Sequence, residues 1–171
     1  MARFERLWVR AAAAAAAGLL SARGYLLAWG VLHGRRDGPG WEKLTGCRYA
    51  HRGLHGPGAP ENSLAAFRRA AEAGYGAALD VHLTRDGRLV VIHDGDLERM
   101  CGVPGRVAEK TAEELAALRL AGSEEHIPLL EEVLPLFAGR APLVVGLRTV
   151  RHGAAGLARV TVDCLDRFSI D

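Results

Sequence analysis

The order of short apolar strands and amphipathic helices constrains this fold more than any other feature of the sequence. Four strands are predicted, at 48–51, 76–83, 88–93 and 142–147. Because strands joined through helices usually run parallel within one sheet, the alternation predicts a mostly parallel α/β fold. Asp86-Gly87 suits a tight hairpin, so we expect the second and third strands to be antiparallel neighbours, or nearly so.

The segments between these strands are assigned from caps and apolar spacing. A helix capped by Asn62 or Ser63 is predicted to end at Gly74. Residues 94–127 are expected to form an irregular excursion with one short helix, which begins at the capping box of residues 111–114.

Two further helices are predicted in the C-terminal third. One covers 129–138 and is weakened by Pro135. The other covers 150–168 and is expected to be broken by Gly153 and Gly156. Residues 170–171 are predicted to open another strand.

The N-terminal 40 residues differ from the rest. Apolar runs at 11–20 and 25–32 together exceed the roughly 20 residues that span a bilayer. Arg23 lies between them, and an arginine at mid-membrane costs about 2.5–3.5 kcal/mol. We expect an apolar helix that serves as a single-pass membrane anchor, with an alanine-rich helix outside the membrane as the alternative. A signal peptide is disfavoured, because no small-x-small cleavage site follows a compact apolar core. A Gly/Arg/Pro linker at 33–40 then leads to a globular domain at 41–171.

Composition excludes several classes of protein. The net charge of +2 gives no electrostatic basis for a nucleic-acid partner. Cys47, Cys101 and Cys164 form neither a C-x-x-C pair nor a zinc spacing, and their odd number argues against a disulfide framework. The sequence has no P-loop, no G-x-S-x-G and no dinucleotide fingerprint.

Polar side chains collect where the predicted strands end. His51 and Arg52 end the first strand, Asp80 interrupts the apolar second strand, and His93-Asp94 ends the third. Histidine transfers protons near neutral pH, arginine binds phosphate oxygens through a bidentate fork, and aspartate binds hard divalent cations. Each pair alone has an ordinary explanation as a strand-to-turn junction. Their recurrence at successive strands predicts an acid/base site that acts on a phosphate.

Several motifs, in order, resemble the glycerophosphodiester phosphodiesterase family over about 41–148: Tyr49-Ala-His-Arg-Gly53, Pro60-Glu-Asn-Ser-Leu-Ala-Ala-Phe67, Gly76-Ala-Ala-Leu-Asp-Val-His-Leu-Thr-Arg-Asp-Gly87, Val90-Val-Ile-His-Asp94, Ile127-Pro-Leu-Leu-Glu-Glu-Val133 and Pro142-Leu-Val-Val-Gly-Leu-Arg148. The resemblance implies a TIM-type (β/α) barrel. A closed barrel needs eight strands and about 250 residues, so we expect an incomplete one, about half a barrel.

The resemblance also implies roles for individual residues. It makes His51 and His93 the acid/base pair and Asp80 a ligand of a Mg²⁺ or Ca²⁺ ion. The residues implied to contact substrate are Arg52, Glu61, Asn62 and Arg148. The implied reaction, a step of lipid metabolism, is hydrolysis of a small-molecule glycerophosphodiester to glycerol 3-phosphate and an alcohol.

Two departures from the family pattern weaken the expectation of activity. Where the family has Glu-x-Asp on the second strand, this chain has Ala78-Leu-Asp80, and where it has Glu-x-Lys it has Gly146-Leu-Arg148. The loss of two ligand carboxylates predicts weak binding of the cation, if any, because affinity follows the charge of the ligand set. We therefore expect impaired or absent catalysis. A binding module that keeps the pocket and a fragment without its own function are the alternatives.

An unclosed half-barrel would leave strand edges and part of its core uncovered. We therefore expect either a continuation of the chain or self-association through the unclosed sheet.

Overall fold

The computed structural model describes residues 46–148 and 154–168 of the 171-residue chain. Its centre is a four-stranded sheet made of β1 (Tyr49–His51), β2 (Gly76–Leu83), β3 (Leu89–Val91) and β4 (Leu143–Leu147). β2 pairs in parallel with β1 and β4, and antiparallel with β3. The predicted mostly parallel α/β sheet is confirmed, and so is the expected antiparallel pairing of its second and third strands.

The backbone hydrogen bonds of β2 show how three strands share its two edges. Arg52 N donates to Ala78 O at 2.7 Å, and Ile92 N donates to Asp80 O at 3.1 Å. Carbonyls two residues apart point to the same edge of a strand, so β1 and β3 occupy successive stretches of one edge. β4 takes the other edge, where Arg148 N donates to Val81 O at 3.0 Å. The C-terminal ends of β1 and β3 therefore approach each other from opposite directions.

Five α-helices lie in the described part of the chain: α1 (Leu64–Glu72), α2 (Glu98–Cys101), α3 (Ala112–Ala116), α4 (Leu130–Phe137) and α5 (Ala154–Arg167). The side chain of Ser63, not Asn62, caps α1, since Ser63 Oγ accepts a hydrogen bond from Ala66 N at 3.1 Å. The predicted capping box of α3 is confirmed at Thr111 and Glu114. α4 includes Pro135, which is exposed.

The two faces of β2 have different roles. Ala77, Leu79 and Val81 are at most 2% exposed and form one core with α1, α4 and α5. Within this core Phe67 of α1 meets Phe137 of α4 edge to face, with ring centroids 6.2 Å apart. Ala78, Asp80 and His82 are only partly buried on the opposite face, called the site face below.

The segment after β3 is more ordered than the sequence predicted. It contains α2, α3 and two short 3₁₀ turns, Val107–Glu109 and Leu120–Gly122. A second apolar cluster holds it together: Val90, Ile92, Leu97, Met100, Val107, Leu115, Leu120 and Ile127. The prediction of an irregular excursion with one helix was wrong because these apolar residues are spread over several short elements, none of which gives a periodic signal alone.

The remaining predictions concern two glycines of the last predicted helix, the strand at 170–171 and the membrane anchor. Gly156 does not break α5, which continues through it, because one glycine costs only about 1 kcal/mol within a helix. The predicted strand at 170–171, the predicted break at Gly153 and the predicted anchor at 11–32 lie outside the described residues. Among residues 46–148 and 154–168, no helix is long and apolar enough to cross a membrane.

Candidate active site

The turn after β1 holds two residues in a backbone conformation that is unusual for non-glycine side chains. Arg52 has φ 60° and Asn62 has φ 58°, and Asn62 N donates to Arg52 O at 2.9 Å. Gly53 follows with φ 84°, and a Cβ there would lie 2.8 Å from the Cβ of Ala66. Left-handed backbone costs roughly 1–2 kcal/mol per residue outside glycine, so the turn is held by its surroundings. The result is a fixed position for the Arg52 side chain beside the end of β1.

Five side chains form a continuous charge network from Arg52 to His93. Arg52 Nη1 donates to Glu61 Oε1 at 2.9 Å, and Arg99 Nη2 donates to the same oxygen at 2.6 Å. Arg99 Nε also donates to Asp94 Oδ2, and Asp94 Oδ1 lies 2.7 Å from His93 Nδ1. The charge network therefore joins the turn after β1, helix α2 and the end of β3.

The carboxylates of this network remain ionised at neutral pH. The hydrogen bond from Arg99 is the main cause that lowers the pKa of Asp94 to about 2, and the contact with His93 adds to it. Burial alone would raise the pKa of Glu61, but the hydrogen bonds from Arg99 and Arg52 outweigh burial and lower that pKa. Both carboxylates thus act as acceptors that orient their neighbours.

The imidazole of His93 is fixed from two directions. A carboxylate can only accept a hydrogen bond, so the contact with Asp94 puts the proton of neutral His93 on Nδ1 and leaves Nε2 for proton transfer. The backbone carbonyl of His93 accepts from Nε2 of His82 at 3.2 Å. Burial lowers the pKa of His82, although that hydrogen bond opposes the effect. His82 therefore supports the backbone of His93 as a neutral side chain.

Asp80 takes part in a separate ion pair on the opposite edge of β2. Arg148 Nε donates to Asp80 Oδ1 at 2.9 Å, and the side chain of Asp80 is 13% exposed. Asp80 lies opposite Gly146 in the register of β2 and β4. A Cβ at Gly146 would lie only 2.7 Å from Asp80 Oδ1. The absence of a side chain at 146 thus makes room for the carboxylate in its paired position.

A cavity of about 350 Å³ opens between these two groups of residues. Its lining residues come from β2, the segment after β3 and the end of β4: His82, His93, Asp94, Gly95, Asp96, Arg106, Ala108 and Arg148. His93, expected at a strand end, and Arg148, implied by the resemblance, thus line one cavity. His51, Arg52, Glu61, Asn62 and Asp80 do not line it, and His51 is exposed at the end of β1.

Asn62 is 1% exposed, and neither polar atom of its side chain has a hydrogen-bond partner among the described residues. The same holds for Nε of Arg52. Buried polar atoms without partners are rare and concentrate at functional sites or at ordered water molecules. These two residues therefore mark the turn after β1 as part of the site.

The residues do not fit the divalent cation that the sequence suggested. Residues 46–148 and 154–168 contain no group of three or more acidic, histidine or cysteine side chains that could hold a metal ion. Asp80 is the only carboxylate on the site face of β2, and Arg148 already takes one of its oxygens. Glu61, the acidic residue of the turn after β1, is bound by two arginines. A Mg²⁺ or Ca²⁺ ion needs several oxygen ligands of net negative charge, and this set does not supply them.

Sequence reasoning missed the central member of the charge network. Arg99 lies on the four-residue helix α2, which was not predicted, and it joins two carboxylates that are 33 positions apart. His82 and the cavity arginine Arg106 were also not assigned to the site. Their only signal in the sequence was their spacing on β2 and in the segment that follows β3.

The fold and these side chains define a class of protein: one with a mixed α/β sheet that carries histidines, arginines and carboxylates at its strand ends. The sequence profile of the Glycerophosphoryl diester phosphodiesterase family matches residues 51–150. The chain belongs to this family, and the resemblance inferred from its motifs is confirmed.

Curated relatives and solved structures agree with this assignment. A glycerophosphodiester phosphodiesterase of Bacillus altitudinis is 37% identical over 136 residues, which cover 72% of this chain and 54% of the relative. One from Caldanaerobacter subterraneus is 44% identical over 104 residues, which cover 56% of this chain and 42% of the relative. An Oleispira antarctica phosphodiesterase, solved with the product sn-glycerol-3-phosphate, has TM-score 0.68 and 26% identity, covering 74% of this chain and 54% of that one.

The chain spans about half the length of the curated relatives it matches. Its unclosed four-stranded sheet corresponds to part of their TIM-type barrel, as predicted. The prediction of a single-pass membrane location is corrected. The match to the family begins at residue 51, after the segment proposed as an anchor, and among residues 46–148 and 154–168 no helix has the length and apolar character to cross a membrane.

Proposed function

We propose that this chain hydrolyses glycerophosphodiesters to glycerol 3-phosphate and an alcohol, using His51 and His93 for proton transfer. The observation that carries the proposal is the charge network, which fixes a phosphate-binding arginine and a proton-transfer histidine relative to each other. Membership of the family supports the reaction type. The substrate class follows from relatives that are glycerophosphodiester phosphodiesterases.

In this proposal the turn after β1 binds the phosphate. Arg52 uses Nη1 for Glu61, and guanidinium has further N–H groups for a phosphate oxygen. Asn62 offers an amide whose atoms have no partner among the described residues. Glu61 positions Arg52 and is not itself suited to contact an anionic phosphate.

The proton steps fall to the two histidines. Water attacks phosphorus while one imidazole takes its proton, and the bond from phosphorus to the alcohol oxygen breaks as the other imidazole protonates that oxygen. His93 suits the first role, because Asp94 leaves its Nε2 as the acceptor and stabilises the imidazolium that forms. His51, exposed on the site face, then supplies the second proton. The reaction so described uses only residues of this chain.

A binding module that holds a glycerophosphodiester without hydrolysing it is the second candidate. The ion pair of Asp80 and Arg148 favours it, because that pair replaces a ligand set with three carboxylates. Self-association through the unclosed sheet stays a prediction of the sequence. Val144 of β4, which is 50% exposed, would be covered by such an association.

The test is hydrolysis of sn-glycero-3-phosphocholine by the purified full chain, followed by ³¹P NMR. The expected result is a glycerol 3-phosphate signal that grows with time and is absent with His51→Ala and with His93→Ala. Substrate binding without any product would instead select the binding module. If both histidine variants formed product as fast as the unaltered chain, the assigned proton transfer would be contradicted.

A further inference from the structure

The ion pair between Asp80 and Arg148 has a geometry that suggests what replaces the cation. We propose that the Arg148 guanidinium takes the place of a divalent metal ion and binds the substrate's phosphate directly, so that anion binding by this chain needs no metal. This inference deepens the proposed function and concerns the same site.

The first argument is electrostatic. Asp80 lies on the site face with its carboxylate 13% exposed, and burying an unpaired charge there would be costly. Arg148 Nε compensates this charge at 2.9 Å. A guanidinium held by a carboxylate through one N–H is pre-oriented, and it keeps permanent positive charge at any physiological pH.

The second argument is positional. Arg148 lines the cavity of about 350 Å³ together with His93, the residue proposed to transfer a proton. Within the described part of the chain, only Nε of Arg148 is engaged by another side chain. The terminal nitrogens of the guanidinium are therefore available as donors to a phosphate oxygen in this cavity, where a bidentate contact is geometrically favoured.

The third argument concerns the two positions that depart from the family pattern. Ala78 and Gly146 lie on the site face around Asp80, and Gly146 is the register partner of Asp80. A side chain at 146 would begin 2.7 Å from Asp80 Oδ1, the oxygen that accepts from Arg148. The small residues and the ion pair are therefore one arrangement, in which the carboxylate turns toward an arginine because no second carboxylate occupies the space.

The experiment measures the affinity of the full chain for sn-glycerol 3-phosphate by isothermal titration calorimetry, once with EDTA and once with excess Mg²⁺. We expect affinities within about twofold of each other. Arg148→Met is expected to weaken binding tenfold or more in both buffers, as for the loss of a charge-assisted hydrogen bond. Arg148→Lys retains the charge but not the planar fork, so its affinity is expected to lie between those of the unaltered chain and of Arg148→Met.

Arg140→Met is the matched control. Arg140 is exposed and precedes β4 at the end opposite the site, so its loss removes the same charge without touching the cavity. Unfolding of each variant by urea shows whether it folds. If Arg148→Met does not fold, Arg148→Lys decides: it must bind more weakly than Arg140→Met if the fork contacts phosphate.

Binding that requires Mg²⁺, or that Arg148→Met leaves unchanged relative to Arg140→Met, would overturn the inference. These outcomes are independent of turnover. Metal-independent binding without hydrolysis would refute the proposed hydrolase and leave the role of Arg148 intact. Metal-dependent binding with hydrolysis would refute the role of Arg148 and leave the proposed hydrolase intact.

Discussion

The two sides of the candidate site differ in how closely they follow the family pattern. On the side of β1 and β3, the charge network contains Arg52, Glu61 and His93, which the family pattern implies, and Arg99 links the carboxylates of Glu61 and Asp94. On the side of β2 and β4, two implied carboxylates are absent and the remaining one, Asp80, pairs with Arg148. In the proposed function, this contrast means that phosphate binding and proton transfer are retained while Arg148 supplies the positive charge.

The largest effect should come from the proton-transfer side of the comparison. His93→Ala removes the imidazole that Asp94 orients, so we expect the hydrolysis rate to fall about 10²–10⁴-fold. His126→Ala is the control, since His126 lies 3.7 Å from Glu132 and is absent from the cavity lining. If the hydrolysis rate of His93→Ala lay within a fewfold of that of His126→Ala, the charge network would have no role in catalysis.

The next effect concerns the turn that positions Arg52. Gly53→Ala combines a left-handed backbone at φ 84° with a Cβ contact at 2.8 Å. We expect the free energy of unfolding to fall by about 3 kcal/mol, measured by urea denaturation. Gly58→Ala has φ 70° and open space around the new Cβ, so it isolates the backbone cost of roughly 1–2 kcal/mol. Equal losses at both positions would mean that the turn is not tightly packed.

Arg99→Leu tests whether the charge network works as a unit. We expect roughly tenfold weaker binding of sn-glycerol 3-phosphate, because Glu61 and Asp94 then face the ligand without their shared cation. The pKa of Asp94 should rise from about 2 toward its ordinary 3.8, as followed by NMR titration.

The sign of the accompanying stability change follows from that shift. Because folding lowers the pKa of Asp94, its contribution to stability is present above 3.8 and is lost as pH falls toward about 2. The gap in stability between the unaltered chain and Arg99→Leu should therefore narrow over this acid range. A gap that does not change with pH would show that Arg99 contributes through packing instead.

The smallest effect is expected on the other side of the comparison. Gly146→Ala brings a methyl group to 2.7 Å from Asp80 Oδ1, the far end of a side chain that can rotate. We expect a change below about 1 kcal/mol in the free energy of unfolding, because the adjustment is local. A loss as large as that of Gly53→Ala would mean that the ion pair of Asp80 and Arg148 supports the fold.

Sequence reasoning recovered the strands and the family because both depend on local patterns. Asp80, which interrupts the apolar second strand, lies on a partly buried face, away from Leu79 and Val81. The sequence predicted His51 and His93 at the ends of successive strands, and β3, which runs antiparallel to β2, brings its end toward that of β1 from the opposite direction. His93 lines the cavity and His51 does not, so a common site for the two histidines stays a prediction.

The partners of the site residues were not predictable from the sequence. Arg99 acts through contacts 5 and 38 positions away, and Arg148 reaches back 68 positions to Asp80. Such pairs depend on tertiary packing, chiefly on the second apolar cluster that positions α2 and on the register of β4 against β2. No local pattern contains that information.

The most direct test of the account is the rate of sn-glycero-3-phosphocholine hydrolysis by the full chain with EDTA, divided by the rate with excess Mg²⁺. The account predicts turnover in both buffers and a ratio near one, since the positive charge beside Asp80 comes from Arg148. Turnover that occurs only with the divalent cation would contradict it, and so would the absence of turnover in both.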